Sequence, residues 1–190
     1  MVTLNKIYTR TGDNGTTALG SGERRKKFDL RVASYGTIDE TNAVIGCARV
    51  VGAPPSLDGM LARIQNDLFD LGADLATPDA ADLAYEPLRI VPGQVTWLEG
   101  AIDDLNAGLE PLKSFVLPGG TALSAQLHLA RTISRRAERL MVELSTTEPV
   151  GEPALKYANR LSDFLFVAAR VANDNGRADV LWVPGQSRTA

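Results

Sequence analysis

Residues 57–75 carry large apolar side chains at alternating intervals of four and three positions. The series is Leu57, Leu61, Ile64, Leu68, Leu71 and Leu75. Because an α-helix turns once every 3.6 residues, this spacing places these side chains along one face. Thr77-Pro78 ends the pattern, and Ser56 before it is a candidate N-terminal cap. The sequence therefore predicts an amphipathic helix that contributes one apolar stripe to a helical bundle.

Other segments of the chain show the same helical spacing. They predict helices from about Asp29 to Gly52, from Pro92 to about Gly108, from the cap Thr121 to about Ser145, and from Pro153 to about Asn175-Gly176. Residues 180–183 form either a short strand or an extended tail. The prediction is an all-α fold, an antiparallel five-helix bundle with short connections. We expect one domain over residues 1–190, with an ordered N-terminal segment (1–28), the bundle (29–176) and a C-terminal tail (177–190).

The N-terminal segment has no apolar period and contains the run T-R-T-G-D-N-G-T-T at residues 9–17. Asp13-Asn14-Gly15 predicts a tight turn in an ordered loop with little regular structure. Glycines allow a ligand to approach the backbone closely, and threonine hydroxyls with exposed N–H groups can hold phosphate oxygens. The same run is also compatible with an ordinary surface turn. No G-x-x-x-x-G-K-[ST] motif occurs in the chain.

Basic residues recur along one side of the fourth predicted helix. At 100° per residue, the stripe contains His128, Arg131, Arg135, Glu138 and Arg139. Like charges at i, i+4 repel one another on a helix surface, and a polyphosphate ligand would relieve that repulsion. The alternative interpretation is a solvated basic face whose arginine stems lie over apolar neighbours. The stripe alone does not separate these two interpretations.

Composition excludes several classes of function. A net charge of −3 over 190 residues argues against general nucleic-acid binding. Cys47 is the only cysteine, so we expect neither a disulfide nor a cysteine metal site, and we expect Cys47 in the core. His128 is the only histidine, which excludes di-iron, zinc and serine-hydrolase chemistry. The absence of a long apolar run or targeting segment predicts a cytoplasmic protein without a membrane span.

Three further polar or aromatic features leave alternatives open. Asp39, in the first helix, is either solvent-exposed, a helix cap, a water-mediated Mg²⁺ ligand or the partner of an arginine from the stripe. Asn159, Asp163, Phe166 and Arg170 share one face of the fifth helix, where they form either a ligand edge or a structural hydrogen-bond network. Phe115 lies on an apolar loop, where it either walls a flat ligand or fills the core.

Four segments, in order along the chain, resemble the corrinoid adenosyltransferases of the propanediol-utilisation type, which are ATP:cob(I)alamin adenosyltransferases. They are T-R-T-G-D-N-G-T-T followed by G-E-R-R-K-K-F-D, then Y-G-T-I-D-E-T-N (35–42), then F-V-L-P-G-G with the later R-R-A-E-R (135–139), and N-R-L-S-D-F-L-F (159–166). The resemblance implies a homotrimer with active sites between subunits. It also implies ATP and cob(I)alamin as substrates, together with Mg²⁺, and leaves a cob(II)alamin reductase as a candidate partner.

The resemblance also assigns site residues. It implies ATP binding by Thr9, Arg10, Thr11, Gly12, Thr17, Ala18, Lys27, Arg135, Arg136, Glu138, Arg139 and Asn159. Arg135, Asp39 and Phe115 are the candidate catalytic residues, with Asp39 paired to Arg135 across the subunit boundary. Phe115 and Arg131 would lie towards the corrin, and Glu138 is the candidate Mg²⁺ ligand. The implied reaction is attack of Co(I) on the 5′ carbon of ATP, and the alternative is a bundle that senses ATP or another polyanion without catalysis.

Overall fold

Five α-helices make up most of the chain, which confirms the predicted helical class. The computed structural model describes residues 7–79, 83 and 85–188. The helices are α1 (Leu30–Gly52), α2 (Pro55–Ala76), α3 (Pro92–Asn106), α4 (Ala122–Leu144) and α5 (Glu152–Ala172). None of these described helices is long and apolar enough to cross a membrane. Residues 80–82 and 84, which lie between α2 and α3, are outside the described residues. The expectation of a single domain over residues 1–190 stays a prediction.

The core lies where α1, α2, α4 and α5 face one another, while α3 packs against α5. Every member of the predicted α2 stripe is buried, from Leu57 to Leu75. The stripe packs in one cluster with Ile38 and Ile45 of α1, Leu127 and Met141 of α4, and Leu161 and Phe164 of α5. Burial of apolar area at this scale is the main term that holds the helices together. The periodicity therefore predicts both the helices and the face that each one buries.

Several predictions about helix ends and burial need correction. Helix α2 begins at Pro55, so Ser56 lies inside the helix and does not cap it; proline is well suited to the first helical position. Helix α5 ends at Ala172, before the predicted Asn175-Gly176. Cys47 is exposed and is not a core residue, because it lies on the side of α1 that faces away from Ile45 and Ala48. The predicted cap Thr121 is confirmed by its Oγ1, which accepts a hydrogen bond from the Ser124 amide at 3.1 Å.

The N-terminal segment contains more regular structure than the sequence predicts. Strands β1 (Thr16–Ala18) and β2 (Arg24–Lys26) pair antiparallel, with Thr16 opposite Lys26. The predicted turn before β1 is present, and Gly15 adopts a φ of 79° that other residues rarely adopt. Beyond β1, Leu19 is buried and the Gly20 amide donates to the Ala76 carbonyl at 2.7 Å. The hairpin is therefore docked on the C-terminal end of α2.

An ion-pair network also ties the hairpin to the bundle. One oxygen of Glu148, in the α4–α5 connection, lies 2.8 Å from a guanidinium nitrogen of Arg25. Its other oxygen accepts from Nε of Arg31, whose side chain is only 2% exposed, at 2.9 Å. Arg31 also donates to the carbonyls of Leu75 and Pro149. These contacts join β2, α1 and the end of α2 around one carboxylate.

Candidate functional site

Three arginines on α4 form a row of positive charge. Within the described part of the chain, Arg131, Arg135 and Arg139 form no ion pair with Asp or Glu. Arg139 donates only to the Arg135 carbonyl, at 3.1 Å. Burial lowers the pKa of Arg131, and the neighbouring charge of Arg135 lowers it further. A bound polyanion would remove this repulsion, so the electrostatics of the row favour an anion.

Arg136 is oriented differently from the row. It forms a hydrogen-bonded ion pair with Glu40 of α1 on the same chain. Both side chains are about half exposed, so the pair contributes little to stability. The pair places the middle of α4 beside residue 40 of α1. Asp39, which is exposed, therefore lies near the level of Arg135.

His128 belongs to the core rather than to an exposed stripe. Its side chain is fully buried, and its ring contacts Phe166 edge to face with centroids 6.2 Å apart. Nδ1 accepts a long hydrogen bond from Nε of Arg131, at 3.4 Å, whereas Nε2 is buried without a partner among the described residues. Burial lowers the pKa of His128, and the charge of Arg131 adds to that effect. At neutral pH His128 is an uncharged ring beneath the first arginine of the row.

Polar groups from α5 lie beside Arg135, the middle arginine of the row. The Asn159 amide donates to Glu138 at 2.6 Å and accepts from Arg160. Burial raises the pKa of Asp163, and the negative charge of Glu138 raises it further. The positive charges of Arg160 and Arg135 lower it. Asn159, Asp163, Glu138 and Arg135 are therefore close neighbours at the α4–α5 junction. The predicted polar face divides here, because Phe166 and Arg170 turn inward instead.

Basic side chains from β2 and residue 27 contact the N-terminal loop at residues 9–17. Arg24 donates to the Thr11 carbonyl at 2.7 Å and to the Thr16 hydroxyl at 2.6 Å, which braces residues 9–17 against β2. A Cβ at Gly12 would lie 3.1 Å from Nζ of Lys27, so the glycine allows this ammonium to approach the loop backbone. Thr9 and Thr11 share a hydrogen bond between their hydroxyls at 2.9 Å. The loop thus offers hydroxyls and one close ammonium to a phosphate.

The loop and the arginine row are not joined by polar contacts among the described residues. Across the described residues, no hydrogen bond or ion pair connects residues 9–27 with Arg131, Arg135 or Arg139. The hairpin is instead fixed at the end of α4 through Arg25 and Glu148. In the described structure the loop and the row are therefore two separate groups of polar and basic side chains.

Phe115 lies on the connection between α3 and α4 and is 75% exposed. Its ring is tilted by 58° against that of Trp182, with centroids 5.9 Å apart. An exposed phenylalanine fixed in this way does not fill the core. Of the two interpretations open for Phe115, the structure therefore excludes the core and leaves an aromatic wall.

The chain matches the family model described as cobalamin adenosyltransferase over residues 7–172. It belongs to the cobalamin adenosyltransferase family. The chain is 53% identical to a corrinoid adenosyltransferase of Mycobacterium bovis over 100% of this chain and 98% of that protein. It also superimposes, with a TM-score of 0.85 and 40% identity, on a variant PduO-type ATP:corrinoid adenosyltransferase from Lactobacillus reuteri complexed with cobalamin and ATP. That match covers 93% of this chain and 99% of the other.

A second solved structure from the same organism, a variant complexed with ATP, gives a TM-score of 0.85 and 41% identity. It covers 94% of this chain and 100% of that one. The cobalamin adenosyltransferase family therefore accounts for the fold of nearly the whole chain. No comparison assigns individual site residues, so their roles stay predictions that the geometry supports or leaves open.

The family's predicted site residues fall into three places on this chain. The loop group is Thr9, Arg10, Thr11, Gly12, Thr17, Ala18 and Lys27; the helix group is Arg131, Arg135, Arg136, Glu138, Arg139 and Asn159; and Phe115 lies on the α3–α4 connection. Asp39 has no hydrogen bond or ion pair to Arg135 within the chain as described. Trp182 was not predicted from the sequence, where a tryptophan within the apolar run at residues 180–183 was the available signal.

Proposed function

We propose that this protein transfers the 5′-deoxyadenosyl group of ATP to cob(I)alamin and releases inorganic triphosphate. The observation that carries the proposal is the row of Arg131, Arg135 and Arg139, which lacks any carboxylate partner in the described structure of a cobalamin adenosyltransferase family member. A polyphosphate chain is the ligand that such a row accommodates. A curated relative is named as a corrinoid adenosyltransferase, and the similar PduO-type ATP:corrinoid adenosyltransferase was solved in complex with cobalamin and ATP.

The reaction needs positioning and charge stabilisation rather than a general base. Co(I) attacks the 5′ carbon, a cobalt–carbon bond forms, and the carbon–oxygen bond breaks with its electron pair left on the triphosphate. Arg135, Arg139 and Lys27 would stabilise the charge that develops on this leaving group. The threonines and glycine of the N-terminal loop would orient the nucleotide for in-line attack. Asn159, which donates a hydrogen bond to Glu138, would meet the nucleoside.

Magnesium fits this site only together with the nucleotide. The described residues contain no group of three or more His, Cys, Asp or Glu side chains able to hold a metal. Mg²⁺ commonly binds through one or two carboxylates and phosphate oxygens while keeping several waters, so Glu138 with the triphosphate is a sufficient set. When bound, Mg²⁺ would supply further neutralisation of phosphate charge. Phe115 and Arg131 would face the corrin, where exclusion of the lower ligand favours reduction to Co(I).

The direct test is anaerobic incubation of the protein with ATP, Mg²⁺ and chemically reduced cobalamin. We expect the corrinoid spectrum to change to that of an alkylated cobalt, with one intact triphosphate released for each cobalt–carbon bond formed. ATP binding without any spectral change would instead favour the alternative, a bundle that senses a polyanion. That alternative accounts for the arginines but assigns no role to the exposed Phe115.

We further propose a homotrimer in which each active site combines the N-terminal loop of one subunit with α4 of another. The absence of a hydrogen bond or ion pair between the loop and the row among the described residues supports this arrangement. The exposed Asp39, which would pair with Arg135 of a neighbouring subunit, supports it as well. The oligomeric state is measurable by sedimentation. The cytoplasmic location and a reductase partner stay predictions from the sequence.

Mixed assemblies provide a stringent test of the shared site. We expect Lys27→Ala and Arg135→Ala proteins each to lose most activity, since each lacks one half of every site. Coexpressed in one cell, the two variants should regain activity, because some interfaces then combine an intact loop with an intact α4. The measurement is the adenosylation rate of the purified mixture against each variant alone. If mass spectrometry shows that the two variants assemble together and the mixture is still inactive, Lys27 and Arg135 act in a site within one subunit.

Phe115→Ala should impair adenosylation of cobalamin more than that of a corrinoid lacking the lower base. The ring is expected to occupy space that the lower base would otherwise take, so its role disappears when the base is absent. We expect kcat/KM to fall about tenfold more for cobalamin, a difference of ~1.4 kcal/mol in the barrier. Steady-state rates with the two corrinoids measure the ratio. Equal losses for both would mean that Phe115 acts on binding in general.

A further inference from the structure

The C-terminal segment folds back onto the connection that carries Phe115. Leu181 forms an antiparallel bridge with Val116. The Trp182 amide donates to the Phe115 carbonyl at 2.8 Å, and the Leu117 amide donates to the Val180 carbonyl at 2.7 Å. These hydrogen bonds fix the backbone on both sides of residue 116. The segment lies beyond residue 172, where the match to the family model ends.

Side chains reinforce the same contact. The Ser114 hydroxyl donates to the Trp182 carbonyl at 2.7 Å. The Phe115 ring is 75% exposed yet meets the Trp182 ring at a centroid distance of 5.9 Å. Tilted aromatic pairs at this distance attract one another and restrict both rings. In the described structure, Trp182 is the only aromatic side chain with a ring contact to Phe115.

A buried polar group anchors the segment to α5. The Asp179 carboxylate accepts from Nε of Arg170 at 2.9 Å and from the Asn173 amide at 3.1 Å. The Asp179 side chain is 2% exposed and that of Arg170 is 7% exposed. A buried ion pair of this kind is rigid because each charge depends on the other for compensation.

The same group holds both ends of the Phe115 connection. Arg170 donates to the Glu110 carbonyl at 3.0 Å. Asn173 donates to the Gly119 carbonyl and accepts from the Thr121 amide at 2.9 Å. Asp179 therefore fixes the C-terminal segment to the residues that already fix the beginning and end of the connection. Phe115 has a defined position because its backbone, its ring and both ends of its loop share one anchor.

We infer that residues 179–182 are a positioning element of the corrinoid site, in which Asp179 anchors the segment and Trp182 holds the Phe115 ring. This inference rests on the proposed function, in which Phe115 faces the corrin. Trp182 is a positioning residue, since it acts on the corrinoid through Phe115. Losing it should therefore reproduce part of the Phe115→Ala phenotype without affecting the nucleotide.

The test compares Trp182→Ala with Trp182→Phe, which keeps an aromatic ring, and with Arg177→Ala. Arg177 lies two residues before Asp179, and in the described structure its ion pair is with the exposed Asp174, at 2.6 Å. Arg177→Ala therefore controls for a general effect of changing the C-terminal residues. Trp182 is itself 43% exposed, and its removal leaves the helical core intact. Each protein is assayed with cobalamin and with a corrinoid lacking the lower base, and the spectrum of the bound Co(II) corrinoid reports whether the base stays attached.

For Trp182→Ala we expect kcat/KM with cobalamin to fall at least fivefold more than with the baseless corrinoid, while KM for ATP is unchanged. Trp182→Phe should recover most of the loss, and Arg177→Ala should match the wild type. Asp179→Asn, which removes only the charge, should shift the same ratio in the same direction. Equal losses on both corrinoids, or wild-type kinetics in Trp182→Ala, would overturn the inference alone. A wild-type protein that forms no cobalt–carbon bond would overturn the proposed function itself, and this inference with it.

Discussion

Arg135→Ala is expected to lower kcat/KM for adenosyl transfer by about 10²–10³-fold, or ~2–4 kcal/mol, by analogy with loss of one preorganised donor to a developing oxyanion. Arg135 is exposed in the middle of the row and has no carboxylate partner in the described chain, so its charge is available to the triphosphate. The charge on that group grows as the carbon–oxygen bond breaks. Most of the loss should therefore appear in kcat rather than in KM for ATP.

Folding should survive this substitution. An exposed side chain on the surface of α4 contributes little to the core, and removing like charge next to Arg131 relieves repulsion. The circular dichroism spectrum and unfolding temperature should match the wild type. Arg49→Ala is a suitable control, because Arg49 is a partly exposed arginine whose partner is Asp58, at 2.7 Å between α1 and α2. Undiminished turnover in Arg135→Ala would contradict the triphosphate role.

Glu148→Gln should have the largest effect on stability, about 3 kcal/mol at pH 7, because it leaves a buried guanidinium without its counter-charge. Arg31 is 2% exposed and would keep only uncharged acceptors, which are the carbonyls of Leu75 and Pro149 and the new glutamine amide oxygen. Glutamine preserves the shape of the side chain, so the loss reports the charge. Denaturant unfolding of the two proteins at pH 7 gives the difference directly. A difference below about 1 kcal/mol, typical of an exposed pair, would contradict it.

The pH dependence of this difference has a defined sign. Arg25, and then Arg31, hold the pKa of Glu148 below its usual range. A carboxylate with a depressed pKa in the folded state stabilises fully above the unfolded-state pKa of about 4.3, and the effect is lost as pH falls through the folded value. The gap between wild type and Glu148→Gln should therefore be constant near neutrality and shrink below about pH 4. Because Arg25 precedes Lys27 by two residues, the variant should also raise KM for ATP.

The helices were predictable from the sequence because their spacing reflects burial. The α2 stripe from Leu57 to Leu75 is apolar at every turn, and each of its members is in the core. The type of a single residue did not predict where each helix ends. Ser56 has the chemistry of a cap, but Pro55 before it already adopts the helical φ and begins the helix. The hairpin escaped prediction because three-residue strands give no usable period.

The candidate site was only partly predictable for a related reason. The arginine row follows from helical spacing, and the structure supports it as an unpaired cluster of charge. Helical spacing does not show that the His128 side chain points into the core, since His128 precedes Arg131 by less than one turn of the helix. Contacts between residues distant in sequence leave no periodic signal, so the pairing of Arg136 with Glu40 and of Phe115 with Trp182 appears only in three dimensions.

Gly120 gives the start of α4 an unusual sensitivity. Its φ is 92°, and a Cβ there would lie 2.3 Å from the side-chain oxygen of Asn173. Any other residue would displace that amide, which also holds Asp179. The disturbance would pass along the tail to the aromatic pair without altering any group that meets a substrate. A larger residue at position 120 is thus expected to change how the protein discriminates between corrinoids, although position 120 itself carries no side chain.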